Sequence, residues 1–177
     1  NYRLRIEVLS VEDAAGRALR YDSEREGRNL SLRIFVPGAV DATRTVVLRY
    51  RALNGLRFFE EHDELYWNVT GDESEVPILS ASAHVELPPG ASGVRSTAFA
   101  GPRGSTSGNV RIAEEEGVLD FETTAPLRFR EGLTVVVGWN PGAVERPTFA
   151  DRAGHFLLSN SILLVPLAVG SVMLLLW

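Results

Sequence analysis

The chain of 177 residues contains no cysteine and no lysine. Without cysteine it can form no disulfide, no thiolate nucleophile and no cysteine-ligated zinc site. Without lysine it can hold no phosphate-binding P-loop, because that motif places a lysine on the phosphates. All 18 basic residues are arginine, which we attribute to a genomic bias toward arginine codons. These absences exclude several classes of site but leave the cellular compartment open.

Positive charge and histidine are both scarce. The formal net charge is −5, so a nucleic-acid partner is not expected, because phosphate binding needs a concentrated positive patch. The three histidines, His62, His84 and His155, lie far apart and form no i, i+4 pair. We therefore predict no metal site, no cofactor and no catalytic residue. The 45% content of hydrophobic residues nevertheless indicates a folded chain.

Long apolar runs are absent until the C-terminus, where residues 156–177 read FLLSNSILLVPLAVGSVMLLLW. A helix of this length spans about 33 Å, close to the roughly 30 Å of a bilayer core. A buried core helix is the alternative, but such a helix rarely runs this far without a charge. We predict a transmembrane α-helix over 156–177, with the lipid bilayer as its partner. Every charged residue lies in 1–152, and we interpret 143–155 as a polar linker.

The remaining residues, 1–142, show the period-two alternation of half-buried strands. In the segment NYRLRIEVLS, Tyr2, Leu4, Ile6 and Val8 share one face. The segments NLSLRIFV, TRTVVLRYRAL, SAHVELPPG, GVLDFETT and GLTVVVGWNPG repeat the pattern, and several end in proline-glycine turns. Many short strands separated by turns predict an all-β domain, an antiparallel, Ig-like β-sandwich.

Helical periodicity is weak throughout 1–142. Two segments, 12–19 and 110–116, could hold one helical turn at most. The segment 90–107 is rich in glycine and serine, and it predicts long loops around a short strand near Ser96–Phe99. The sequence thus indicates a soluble domain built from strands and turns.

The stretch HDELYWNVTGDE, residues 62–73, concentrates acidic, aromatic and polar side chains. We predict a strand centred on Leu65–Val69 and a turn at residues 70–72. Leu65, Trp67 and Val69 should face the core, whereas Tyr66 and Asn68 should face outward. The candidate binding residues in this stretch are Asp63, Glu64, Tyr66 and Asn68.

Several functions remain open for this stretch. A glycan hydrolase needs two acids roughly 5–9 Å apart in unequal environments. The acidic residues in and around this stretch could supply such a pair: Glu60, Glu61, Asp63, Glu64, Asp72, Glu73 and Glu75. The acids could also chelate calcium, although no EF-hand spacing is present. The simplest interpretation is a solvated acidic loop. The two N-x-S/T triplets, at Asn29 and Asn68, are interpreted as chance occurrences without a glycan.

The same stretch carries a family resemblance. The segment DELYWNVTG, followed by VPI at 76–78, resembles bacterial predicted membrane proteins catalogued as domain of unknown function 2207, or DUF2207. The segments 48–68 and 127–144 are similar to further stretches of the same family, in the same order. Two departures occur: Ser74 stands where the family commonly has tryptophan, and Asn140-Pro141-Gly142 replaces a Pro-Lys-Gly turn.

The resemblance implies an extracytoplasmic β-sandwich, preceded by a signal peptide and anchored in the cell membrane, with 1–155 outside the cytoplasm. Because no activity is established for the family, it carries no site residue over. We expect the chain to act in binding, sensing or assembly at the cell envelope, which is a non-enzymatic role. Its protein partners should lie in the membrane or the envelope. The alternatives are an envelope glycan hydrolase using carboxylates near Asp63 and Glu64, and a scaffold for partner membrane subunits.

Overall fold

A computed structural model describes residues 4–27, 29–106 and 108–146. Within these ranges the chain forms eleven strands and no helix, and every strand pairing is antiparallel, which confirms the all-β, antiparallel prediction. The strands are β1 (Arg5–Asp13), β2 (Tyr21–Glu26), β3 (Asn29–Ile34), β4 (Val46–Leu53), β5 (Leu56–Phe58), β6 (Asp63–Asn68), β7 (Ser82–Glu86), β8 (Arg95–Pro102), β9 (Val110–Glu115), β10 (Val118–Thr123) and β11 (Glu131–Trp139).

The predicted membrane helix over 156–177 lies outside the described residues, as does the predicted linker after residue 146. In the described part of the chain, no helix has the length and apolar character needed to cross a bilayer. The chain divides into two compact units, residues 1–55 and residues 56–177. The predicted domain boundary at residue 142 stays a prediction.

The first unit consists of two antiparallel strand pairs, β1 with β4 and β2 with β3. A β-bulge interrupts β1, because Val8 pairs with Tyr50 and Ser10 pairs with Arg49, which leaves Leu9 without an opposite residue. The bulge shifts the alternation by one residue, so that Leu9 is exposed and Val11 is buried. The alternation visible in the sequence therefore holds only up to Val8.

The turn after β1 is held by the carboxylate of Asp13. Its Oδ1 accepts hydrogen bonds from the backbone N–H groups of Ala15, at 2.9 Å, and Arg17, at 3.0 Å. The Arg17 side chain also donates to Oδ2, at 2.8 Å. The backbone and side-chain hydrogen bonds from Arg17 hold the pKa of Asp13 below its usual value, because they stabilise the ionised carboxylate.

The second unit contains a four-stranded sheet, in the order β5-β6-β11-β8, and a three-stranded sheet, in the order β7-β10-β9. The chain passes from one sheet to the other four times, in the connections β6–β7, β7–β8, β8–β9 and β10–β11. Buried side chains of both sheets form a single hydrophobic core. The Ig-like arrangement stays a prediction.

Strand β11 is the centre of the four-stranded sheet, because β6 and β8 pair with its two edges. Its inward side chains, Leu133, Val135, Val137 and Trp139, are all buried. Thr134 and Val136, on the opposite face, are only half-buried. A strand that is apolar on one face and partly exposed on the other supports a one-sided core.

Thr123 at the end of β10 is a buried polar residue that bonds to Ala81, which directly precedes the neighbouring strand β7. Its hydroxyl accepts from the Ala81 N–H at 3.1 Å and donates to the Ala81 carbonyl at 3.2 Å. Replacing the hydroxyl by a methyl group leaves the Ala81 N–H without this acceptor, whereas the Ala81 carbonyl still accepts from the Thr123 N–H. We expect Thr123→Val to lower the free energy of unfolding by about 1–3 kcal/mol in denaturant titrations. Thr123→Ser, which keeps the hydroxyl, should cost less; an equal loss in both variants would contradict the hydrogen-bond explanation.

Candidate functional site

Strand β6 places its side chains as the alternation predicts. Leu65, Trp67 and Val69 pack against the buried core, whereas Tyr66 and Asn68 are exposed. The pairing with β11 fixes this arrangement, because Leu65 lies opposite Val137 and Trp67 lies opposite Val135. The predicted strand and its two faces are therefore confirmed.

The four candidate binding residues do not lie on one surface. Asp63 precedes Leu65 by two residues, shares its inward face and is completely buried. Glu64, Tyr66 and Asn68 lie on the outward face of the same strand. The carboxylates of Asp63 and Glu64 consequently leave the strand in opposite directions.

The outward face around Tyr66 and Asn68 is built by three neighbouring strands. The cross-strand pairs place Tyr66, Val136 and Thr97 in one row, and Asn68, Thr134 and Phe99 in the next row. Neighbouring strands lie about 4.8 Å apart and same-face residues about 7 Å apart along a strand, so these six side chains form a compact group. We call this group the outward patch: Tyr66, Asn68, Thr97, Phe99, Thr134 and Val136.

Charge is balanced at the edge of the outward patch. The Arg57 guanidinium lies 4.5 Å from the centre of the Tyr66 ring, and its Nη1 lies 3.4 Å from Oε1 of Glu64. Within the patch, the Thr134 hydroxyl donates to Oδ1 of Asn68 at 3.4 Å. The Tyr66 side chain is still 44% exposed. The patch therefore presents an ordered aromatic ring beside neutral amide and hydroxyl groups.

Two glycines of β11 mark the ends of the outward patch. A Cβ at Gly132 would stand 2.2 Å from the Gly71 carbonyl oxygen, so the turn after β6 lies directly on the strand there. A Cβ at Gly138 would stand 3.6 Å from the His62 ring. The turn at Gly71 and the loop at His62 thus border the patch on two sides.

Beneath this face, the buried carboxylate of Asp63 is paired with Arg146. Its Oδ1 accepts from Nη2 of Arg146 at 2.6 Å and from Nε at 3.0 Å. The same Nη2 donates to the carbonyl oxygen of Phe59 at 2.8 Å. Arg146 therefore joins the chain beyond β11 to both ends of the loop between β5 and β6.

Two buried polar atoms at this pair find no hydrogen-bond partner among the described residues: Oδ2 of Asp63 and Nε1 of Trp139. They belong to residues that lie directly opposite each other on β6 and β11. One is an acceptor and the other a donor, which gives this end of the core a polar character. Among the described residues, no three histidine or acidic side chains are grouped so as to hold a metal ion.

A family model for the N-terminal domain of predicted membrane proteins, DUF2207, matches residues 1–139. The chain belongs to the DUF2207 family. The description of DUF2207 chains as predicted membrane proteins supports a membrane location. No curated protein and no solved structure matches the chain.

The DUF2207 match ends at Trp139, so Arg146 lies beyond it. Sequence reasoning did not single out this arginine. Its partner Asp63 could have been noticed in the sequence. Asp63 lies two residues before Leu65 and four before Trp67, so the alternation of a strand places all three on the face toward the core. A carboxylate at an inward position requires a cationic or hydrogen-bonding partner, which the sequence alone does not identify.

Proposed function

We propose that the chain is an extracytoplasmic, Ig-like domain of a membrane protein and that it binds a partner through the outward patch. In this proposal residues 156–177 anchor the domain in the bilayer. The family match supports the membrane setting and is silent about the side of the membrane. In this role the domain recognises a partner at the cell envelope and catalyses no reaction.

One observation carries the proposal: Tyr66 is exposed, and Arg57 contacts its ring, on an inner strand of the four-stranded sheet. Tyrosine provides a large contact area at low conformational cost and is enriched at binding sites. Arg57 fixes one side of the ring, and Glu64 balances the arginine charge. Asn68 and Thr134 add neutral donors and acceptors beside it.

The geometry gives the glycan-hydrolase alternative little support. That chemistry needs two carboxylates that converge on one pocket. Asp63 and Glu64 lie on opposite faces of β6, and one oxygen of Asp63 is already bound by Arg146. Asp72 lies 4.0 Å from Arg103, in the turn beyond the patch.

The proposal is tested by purifying the full-length protein from membranes and quantifying what copurifies. We expect the double variant Tyr66→Ala with Asn68→Ala to lose its partner about tenfold, which corresponds to roughly 1.4 kcal/mol of binding free energy. The matched control is His84→Ala with Asp120→Ala, an exposed pair on neighbouring strands of the three-stranded sheet. Partner recovery that is unchanged in the patch variant, or that falls equally in both variants, would contradict the proposal.

A second candidate function is a scaffold for membrane subunits, which one feature of the first unit favours. Its strand β4 exposes an apolar strip, Val46, Leu48 and Tyr50, with exposed fractions of 38%, 38% and 40%. Val8 and Val11 lie opposite two of these residues on the same face. Exposed apolar surface of this kind is typical of protein interaction sites.

The same purification separates the two candidates. If the strip carries assembly, Val46→Thr with Leu48→Thr should release the partner, because both changes remove apolar area. Threonine is β-branched and therefore suits a strand at both positions. The Tyr66 and Asn68 double variant should then retain it. The reverse pattern would favour the outward patch and rule out the strip.

A further inference from the structure

We propose that Arg146 is a positioning residue that holds the loop of residues 59–62 beside the outward patch. Through this contact the patch is coupled to the chain that leads toward residues 156–177. The inference rests on the proposed binding role of the patch and adds a means of regulating it. It is carried by contacts in the second unit, at the start of β6 and beyond the end of β11.

Arg146 forms hydrogen bonds at both ends of the loop. Its Nη2 donates to the Phe59 carbonyl at one end and to the Asp63 carboxylate at the other. The loop also closes on itself, because the Phe59 N–H donates to the His62 carbonyl at 2.9 Å. The Phe59 and His62 rings stack, with centroids 4.5 Å apart and planes 17° apart. The conformation of this loop therefore depends on a side chain 83 residues away in sequence from Asp63.

The loop in turn reaches the outward patch through His62. Its Nε2 lies 3.9 Å from Oε2 of Glu64, and Glu64 pairs with Arg57, which covers Tyr66. The His62 ring also lies 3.6 Å from the position that a Cβ at Gly138 would occupy. A change in the loop therefore alters the edge of the patch and the support of its exposed tyrosine.

The two partners differ in their freedom to move. The Asp63 side chain is fully buried on a paired strand, whereas 33% of the Arg146 side chain is exposed. Only Arg146 can exchange its contact for water without unfolding the sheet. Displacement of the chain after residue 146 would therefore break the contact from the arginine side and release the loop. By reciprocity, a partner that reshapes the loop on binding changes how firmly that chain is held.

Hydrogen–deuterium exchange on the full-length protein in lipid nanodiscs tests this inference without a partner. We expect Arg146→Gln to speed exchange in residues 59–63 by about tenfold or more relative to Thr123→Val, whereas exchange in β10 and β11 should rise in both variants, because both lower global stability. Thr123→Val serves as the control, because it weakens the same core from the other sheet. Arg146→Lys should restore part of the protection. A lysine ammonium can reach the Asp63 carboxylate, but it lacks the forked donors with which the guanidinium also binds the Phe59 carbonyl.

Selective exchange in the loop, with partial rescue by lysine, would support the inference. Unchanged exchange in residues 59–63, or a uniform rise like that expected for Thr123→Val, would overturn it. The exchange result does not depend on any ligand. The Tyr66 and Asn68 purification experiment decides the binding role separately, so that a failure of one proposal is distinguishable from a failure of the other.

Discussion

Alanine at Gly132 is expected to lower the free energy of unfolding by about 3 kcal/mol, or to prevent folding. The added Cβ would stand 2.2 Å from the carbonyl oxygen of Gly71 and 2.9 Å from its carbonyl carbon. Both atoms belong to the backbone, so no side-chain rotation can relieve the overlap. The nearby Thr70 hydroxyl accepts from the Leu133 N–H at 3.0 Å, which ties the turn to β11 at the same place.

The same strand offers a matched control. Gly138 lies on the same face of β11, but a Cβ there would meet its nearest atoms, the Asp63 carbonyl oxygen and the His62 ring, at 3.6 Å. That separation is an ordinary contact, so Gly138→Ala should be neutral or stabilising by about 0.5 kcal/mol. Denaturant titration of both variants measures the difference. Equal losses would mean that the turn at Gly71 does not rest on β11.

The second large effect concerns the pair formed by Asp63 and Arg146. We expect Arg146→Gln to lower the free energy of unfolding by about 3 kcal/mol, because it leaves a buried carboxylate without its cation. Asp63→Asn should cost less, about 1 kcal/mol, since the remaining arginine is 33% exposed and can turn into water. The loss should therefore be larger when the partly exposed partner is changed.

The double variant, Asp63→Asn with Arg146→Gln, should be about as stable as Asp63→Asn alone, because the charge that needed compensation is gone. Denaturant titrations of the three variants and the parent chain complete this cycle. Additive losses would show that the two side chains act independently. A larger loss for Asp63→Asn than for Arg146→Gln would contradict the burial asymmetry on which the prediction depends.

The alternation of apolar residues predicted the strands that contribute to the core. β10 and β11 are examples, because one face of each is buried and the period-two pattern is unbroken. The faces of β6 followed from the same rule. The bulge at Leu9 could not be predicted this way, since it depends on how β1 pairs with β4.

Three strands show no alternation of buried apolar residues. All six residues of β2, Tyr21–Glu26, are exposed, and the strand exists because it pairs with β3. β9, Val110–Glu115, occupies a segment for which a helical turn was considered; only Val110 is half-buried, and pairing with β10 decides its conformation. β5, Leu56–Phe58, is too short to show a period. Edge strands are fixed by backbone pairing, which composition does not record.

The candidate site was predictable only in part. The alternation of side chains along β6 predicted that Tyr66 and Asn68 face outward. The other four members of the patch join them through strand pairings between distant segments: Thr97, Phe99, Thr134 and Val136. Asp63 was grouped with Glu64 because the two are adjacent in sequence. In a strand, however, adjacent residues face opposite sides, and the partner of Asp63 lies 83 residues further on.

Site-specific photo-crosslinking in intact cells tests the central claim most directly. A photoreactive residue at Thr97 stands on the exposed part of the outward patch, and one at Asp120 stands on the outer face of the three-stranded sheet. We expect a discrete adduct at Thr97 that disappears in the Tyr66→Ala and Asn68→Ala background, and no adduct at Asp120. No adduct at Thr97, or adducts of equal yield at both positions, would contradict it.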